Sequence, residues 1–342
     1  MTELKIAAVG DILVKRSIIS DAKLPDGSYS FENLFAKVAP YLKKADLTIG
    51  NLETTFPGGG RKHPKWRQSI GPLFKCPDQM AKALKEVGFD VLVTANNHCV
   101  DYGTAGLLRT IRVLDSAGID HTGTFSSLQE SRKLLIKKVK GVKIGILSYT
   151  EMTNKLPVAA SRPWLVNKMR AGRIIRDMRA LKKSGTDLVI VCLHFGREYQ
   201  FIPNKGQKRL VNLLFKNGAN IILGSHPHVL QPLSARGKKR FVIYSLGNFV
   251  STKLRNNPHT QSSIILTLKI KKGKTGKTAI TGMDYIPTHV SRRKTGGRGI
   301  TEVIPIRDVL EGHISGLKTR QHMLMKRMLA DTKKILKGKK IK

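Results

Sequence analysis

Residues 188–196 read LVIVCLHFG: six apolar residues, three of them β-branched, running into His194, Phe195 and Gly196. A short apolar run of that kind is a buried strand. It stops on an imidazole, a ligand for borderline divalent metals. The same event recurs along the chain. The run at 6–9 leads to Gly10 and Asp11, and that at 47–49 to Gly50, Asn51, Leu52 and Glu53. The run at 91–93 precedes Ala95, Asn96, Asn97 and His98, and that at 221–223 precedes Gly224, Ser225, His226, Pro227 and His228. A single polar residue after a strand is ordinarily a turn. Five strand ends supplying Asp, Glu, Asn and His predict a metal site, because loops at the carboxyl ends of strands gather distant residues in α/β folds.

Between these strands the apolar spacing switches to the helical period. Helices are expected over residues 32–44, 77–87 (ended by Gly88), 106–117, 167–183 and 206–217, and a further strand over 143–149. A Gly- and Pro-rich loop at 57–72 holds Trp66 and several basic residues. Past residue 223 the alternation stops, and 241–245, 263–270 and 278–286 read as strands joined by turns. A βα body that gives way to hairpin-like strands fits a mixed sheet or a two-sheet α/β sandwich. Residues from about 308 to 336 read as a basic helix whose Met323, Leu324, Met328 and Leu329 pack on the body. The expected organisation is one domain over 1–305, with 306–342 as a C-terminal helix and tail on that same domain.

At 342 residues and 40% apolar content, the chain can bury a sizeable core. Its 62 Lys and Arg against 23 Asp and Glu give a net charge of +39, spread over the whole length. Charge of that sign draws polyanions, and a solvated basic surface has the same composition. Charge is the sole argument for nucleic acid as a partner. No nucleic-acid motif is recognised, and 6% aromatic content offers few stacking platforms. Cys76, Cys99 and Cys192 are odd in number and lack CxxC spacing, which argues against a disulfide framework and for a reducing compartment. No run reads as a membrane span or signal peptide. The expected location is the cytoplasm, with a membrane or extracellular placement requiring an N-terminal anchor.

The donor inventory sets the kind of centre expected. Asp11 and Glu53 offer carboxylates, Asn97 an amide oxygen, and His194, His226 and His228 imidazoles. Six donors exceed one closed zinc site and suit two metals with open positions. Gly10 and Gly50 are expected to leave room for an ion or phosphate against the backbone. Pro227 stiffens the turn between two histidines and fixes where each ring points.

The ordered set Gly10-Asp11, Gly50-Asn51-Leu52-Glu53, Ala95-Asn96-Asn97-His98 with Asp101 and Gly103, His194-Phe195-Gly196-Arg197-Glu198-Tyr199, Gly224-Ser225-His226-Pro227-His228 and Tyr244-Ser245-Leu246-Gly247-Asn248-Phe249 resembles the CapA-type poly-γ-glutamate (capsule) biosynthesis proteins. These belong to the calcineurin-like metallophosphatase superfamily. The resemblance covers roughly residues 4–290. It implies an α/β, metallophosphatase-like four-layer α/β/β/α sandwich with mixed sheets and two divalent metal ions (Mn, Fe or Zn). It implies that Asp11, Glu53, Asn97, His194, His226 and His228 are the ligands, with Glu53 bridging, and that His98 is the general acid. Asn96, Arg197 and Asn248 are candidate substrate contacts. Two departures stand out. The wider superfamily carries Asp-x-His at the first strand, where this chain has Asp11-Ile12-Leu13, and Asp where this chain has Glu53.

Two functions follow from the resemblance and the charge. One is a metal-dependent hydrolase in which water attacks a phosphoryl or amide centre in line and His98 protonates the leaving group. The other is a non-hydrolytic accessory of poly-γ-glutamate synthesis or export. Its expected partners are an anionic polymer or phosphorylated substrate and a polymer-synthase complex.

Overall fold

The strand Leu188–His194 lies at the centre of a six-stranded sheet, and a second, eight-stranded sheet packs against it. The structure, a computed structural model, describes residues 1–68 and 71–337. In chain order its strands are β1 (Thr2–Ile12), β2 (Leu47–Leu52), β3 (Val91–Val93), β4 (Asp120–Thr122), β5 (Leu135–Val139), β6 (Val142–Thr150) and β7 (Leu188–His194). They continue as β8 (Ile221–Ser225), β9 (Leu230–Arg236), β10 (Arg240–Leu246), β11 (Asn248–Val250), β12 (Ser262–Lys272), β13 (Thr278–Thr295) and β14 (Arg298–Pro305). The first sheet runs β14-β13-β12-β1-β2-β3-β4 with β11 also paired to β1, and the second runs β5-β6-β7-β8-β10-β9. Both are mixed. β1 to β4 are parallel, as are β6, β7, β8 and β10, while β12 to β14 and the flanking β5 and β9 run antiparallel to their neighbours.

The near-continuous apolar runs have a simple cause: each strand that carries a candidate donor is covered on both faces. Along β7, Leu188, Ile190 and Cys192 point into the core between the sheets. Val189, Val191 and Leu193 point outward, under the helices at Ala171–Lys183 and Lys205–Lys216. In β1, Leu4, Ile6 and Ala8 meet the same inter-sheet core, whereas Ala7 and Val9 face the outer layer that includes the helix at Gln79–Glu86. Side chains alternate along a strand, so both sets must be apolar. The result is the four-layer α/β/β/α sandwich.

Several expectations needed revision. The helix expected over 32–44 is two short pieces, Glu32–Phe35 and Ala39–Leu42. Residues 167–170 are extended, so the next expected helix begins at Ala171. The strands after residue 223 do not form one hairpin region. β10 joins the second sheet beside β8, while the β12–β13 hairpin extends the first sheet beside β1. β13 continues to Thr295 and turns into β14, so much of the 292–298 basic patch is a strand end in which Arg292 pairs with Asp21 and Arg293 with Glu302. The C-terminal helix divides into Ile306–Leu310 and Thr319–Ile335. Met325 and Met328 are buried against Ile304, Ile306 and Val309, while Met323 is exposed.

Gly10 is required, for a reason other than ligand access. A Cβ there would lie 1.9 Å from the Gly247 carbonyl oxygen, which accepts the Asp11 N–H at 2.9 Å. The close approach is therefore between β1 and the β10–β11 junction. At Gly50 the nearest neighbour of an added Cβ is the Phe89 ring, so that position too is set by packing.

Candidate metal centre

The six proposed donors come from five strands and two sheets, and the structure brings them together at the carboxyl ends of those strands. Asp11 is the penultimate residue of β1, and Glu53 directly follows β2. Asn97 lies in the loop after β3, His194 ends β7, and His226 and His228 follow β8. All six are buried. Their ligand atoms fall into two groups that share one residue: Glu53 with His194 and His226, and Asp11 with Glu53 and His228.

The spacings suit a coordination shell. Bonds of ~2.1 Å place neighbouring ligands ~3–3.5 Å apart. His194 Nε2 lies 2.8 Å from Asn97 Oδ1 and 3.6 Å from Glu53 Oε1. His228 Nε2 is 3.9 Å from Glu53 Oε1, while its outer nitrogen, Nδ1, lies 3.4 Å from Asp11 Oδ2. Neither oxygen of Glu53 has a hydrogen-bond partner, and neither does His226 Nδ1. A buried carboxylate without donors is costly unless a cation supplies the missing charge. That donor set, with its orphaned oxygens, fits divalent metal.

Two of the three imidazoles have their outer atoms held. His194 Nδ1 faces Ser225 Oγ at 2.9 Å, and His228 Nδ1 donates to Asn248 Oδ1 at 2.9 Å, which leaves Nε2 of each ring toward Glu53. Such partners set the tautomer and aim of a ligating histidine. Asn248 Nδ2 in turn donates to the Thr260 carbonyl at 2.8 Å. His226 and His228 both have left-handed backbones, with φ of 95° and 58°. Non-glycine residues hold that conformation at a cost of about 1 kcal/mol or more each, typically at functional sites.

Electrostatics push Glu53, His194 and His226 toward neutrality. Burial, then the Asp11 and Glu198 carboxylates, raise Glu53 well above the ordinary carboxylate range. Burial, reinforced by the neighbouring imidazoles, holds His194 well below the ordinary imidazole range and His226 at about 3. Burial also opposes protonation of His228, but the adjoining Asp11 carboxylate outweighs it and raises that ring.

His98 stands beside this cluster. Its Nδ1 lies 2.9 Å from Asp101 Oδ2, which also accepts the Phe74 N–H at 2.7 Å, and the Phe74 ring packs edge-on against the imidazole. Asn154 Nδ2 is 3.3 Å from His98 Nε2, and Asn154 Oδ1 accepts from Asn97 Nδ2 at 3.1 Å. Asn96 fastens the loop: its Nδ2 donates to the Leu52 carbonyl at 2.7 Å and its Oδ1 accepts the His98 N–H. Arg197 is exposed on the segment after β7. Cys99 is buried, and burial pushes its thiol up to about 12.

Sequence reasoning gave no role to Asn51, Asp101, Asn154 or Ser225. Asn51 donates to Asp11 Oδ1 at 2.7 Å and so orients a candidate ligand. Asn154 was within reach of the same strand-end rule, since β6 ends at Thr150 and a polar segment follows.

A four-layer sandwich with Asp, Glu, Asn and His converging where the parallel strands of two sheets end defines the metallophosphatase class of architecture. Within that class the chain belongs to the family described as Bacterial capsule synthesis protein PGA_cap, whose model matches residues 5–253. It is 32% identical over 252 residues to "Capsule biosynthesis protein CapA" of Bacillus anthracis, covering 72% of this chain and 60% of that protein. It is 31% identical over 284 residues to "PGA biosynthesis protein CapA" of Bacillus subtilis, covering 82% of this chain and 71% of that one. The chain thus spans about three fifths of the length of the first relative. A solved structure from Staphylococcus aureus, "Putative 5'-Nucleotidase … in complex with alpha-ketoglutarate", superposes with a TM-score of 0.52 at 14% identity, covering 96% of this chain and 58% of that one. That likeness is one of fold. Among the described residues no helix is long and apolar enough to cross a membrane.

Proposed function

We propose that the chain is a CapA-like hydrolase that uses two divalent metal ions, Mn²⁺, Fe²⁺ or Zn²⁺. It would act by phosphoesterase-type chemistry on a substrate linked to poly-γ-glutamate or another anionic polymer. The observation that carries this reading is Glu53, a buried carboxylate with both oxygens unpartnered, shared by two ligand groups. Glu53, His194, His226 and the Asn97 amide oxygen would hold one ion; Asp11, Glu53 and His228 would hold the other. Bound there, the ions would supply Lewis acidity and make water a usable nucleophile at neutral pH.

His98 is the proposed proton donor. Asp101 holds its Nδ1–H, which fixes the ring and leaves Nε2 as the atom that passes a proton to a leaving group. Arg197, exposed just after His194, is the proposed contact for an anionic part of the substrate. Asn96 and Asn248 act through other residues, one by fastening the His98 loop and the other by aiming His228. In this reading residues 1–305 are the hydrolase domain, and 306–342 are a helix and tail upon it.

A second reading, a non-hydrolytic accessory working with a polymer synthase, is favoured by the net charge of +39 and by Ile12-Leu13 where an imidazole ligand is the superfamily habit. Metal analysis and a panel of phosphomonoesters, phosphodiesters and γ-glutamyl peptides separate the two. Metal-dependent hydrolysis that falls at least about 100-fold in His226→Ala supports the first. Two metals bound and nothing hydrolysed, together with salt-sensitive polymer binding, supports the second.

A further inference from the structure

We propose that the cleft between segments 61–65, 100–105 and 157–160 is a binding site for an anionic aliphatic chain, a run of carboxylates on methylene spacers. The inference rests on the polymer-linked reading above and adds to it a site separate from the metal centre. The cleft encloses about 730 Å³, a volume ordinary for a ligand pocket. Arg61, Lys62 and Lys65 stand exposed at its edge, and no Asp or Glu lines it. Among the described residues none of the three has an ion-pair partner. Its wall is apolar, with Tyr102, Val158 and Leu165.

In so basic a chain a patch of cations by itself says little. A concave apolar wall beneath cations that no carboxylate holds is more selective. Inorganic polyphosphate would use the charges alone, whereas carboxylates on methylene spacers would use both surfaces. The cleft of similar size beside the helix Gln79–Glu86 differs in kind, because it carries both signs and its Arg109 is already held by Asp78 at 2.7 Å.

The proposed site is also joined to the candidate acid. His63 is buried between its lips. Its N–H donates to the Asp101 carbonyl at 2.9 Å, and its Nδ1 accepts the Lys65 N–H at 3.0 Å. Nε2–H is thereby left to donate to the Pro157 carbonyl at 3.1 Å. His63 thus joins both lips through its imidazole and reaches the backbone of Asp101, whose carboxylate holds His98, through its own backbone N–H. Cleft and candidate acid share the segment 98–102.

The test is fluorescence anisotropy with a labelled short γ-linked glutamate oligomer, on the parent protein, Arg61→Gln/Lys65→Gln, Ala105→Trp and His226→Ala. Ala105 is exposed and lines the cleft, so tryptophan fills the space while the cations remain. Both cleft variants should weaken binding about tenfold at unchanged melting temperature, and His226→Ala should bind as the parent does. The proposal fails if the parent does not bind the oligomer, or if binding is lost in His226→Ala and kept in the cleft variants. In the latter case the polymer sits at the metal centre and the hydrolase reading stands. It fails also if Ala105→Trp is silent and inorganic polyphosphate competes as well as the unlabelled oligomer. Weakened binding in the cleft variants of a protein that hydrolyses nothing upholds the cleft and leaves the accessory reading.

Discussion

The first sheet brings oxygen to the centre and the second brings nitrogen. Asp11, Glu53 and Asn97 extend from β1, β2 and β3; His194, His226 and His228 extend from β7 and β8. The two halves also differ in how well they are satisfied. His194 and His228 each have an outer nitrogen held by a neighbour, whereas both oxygens of Glu53 are bare. Two of the three imidazoles are thus held in advance, while Glu53 has the largest deficit, one that a cation would fill. Neither sheet alone holds a complete group, so the packing of Ile190, Ile221, Ile6 and Leu47 between them sets the ligand spacing.

The hardest blow to this contrast is Glu53→Gln, which removes the residue common to both groups. Metal analysis should find both ions lost. In the metal-free state the order of stability reverses. The folded pKa of Glu53 is raised, so its stabilising contribution is present at low pH and is lost as pH rises above the unfolded value. At pH 7.5 metal-free Glu53→Gln should therefore be more stable than the metal-free parent by about 1–3 kcal/mol. Equal stability in urea titrations would show that the carboxylate is not strained.

Asp101→Asn probes the proton donor while leaving both halves of the centre whole. It should lower kcat about 100-fold or more with metal content unchanged; loss of metal instead would place Asp101 in the centre's support. On the nitrogen side, Asn248→Ala releases His228 Nδ1, and metal affinity should drop about 10- to 100-fold by competition with a chelating dye. Mildest is a pH effect distant from the ligands. His289, buried against Ser262, has its pKa held at about 4 by burial. A depressed histidine lets the unfolded chain take protons first, so stability is lost as pH falls from about 6.5 toward 4. Between pH 7.5 and 5 the parent should lose about 2 kcal/mol more than His289→Gln in urea unfolding.

The sequence was most legible where physics is local. Two-faced burial makes β7 and β8 read as unbroken apolar runs, and each run stops where the candidate ligands begin. Gln79–Glu86 and Lys205–Lys216 carry amphipathic stripes, the latter with an Asn204–Gln207 capping box. β14 was hidden because Arg298 and its neighbours read as surface charge, although the strand is defined by pairing with β13. β9 was hidden by Pro232, which an edge strand tolerates. The same limit applied to the site. Residue type and strand ends marked the six donors, but that Asn154 meets Asn97 and His98, or that Asn51 meets Asp11, depends on how loops from different strands fold together.

The crossing at Leu246, Gly247 and Asn248 has a mechanical consequence. Leu246 ends a strand of one sheet, Asn248 begins a strand of the other, and Gly247 bonds to the backbone of Asp11. A single residue therefore tethers the two layers beside the candidate ligands, like the spine of a book. With the spine so short, the layers cannot part at this end of the candidate donor set.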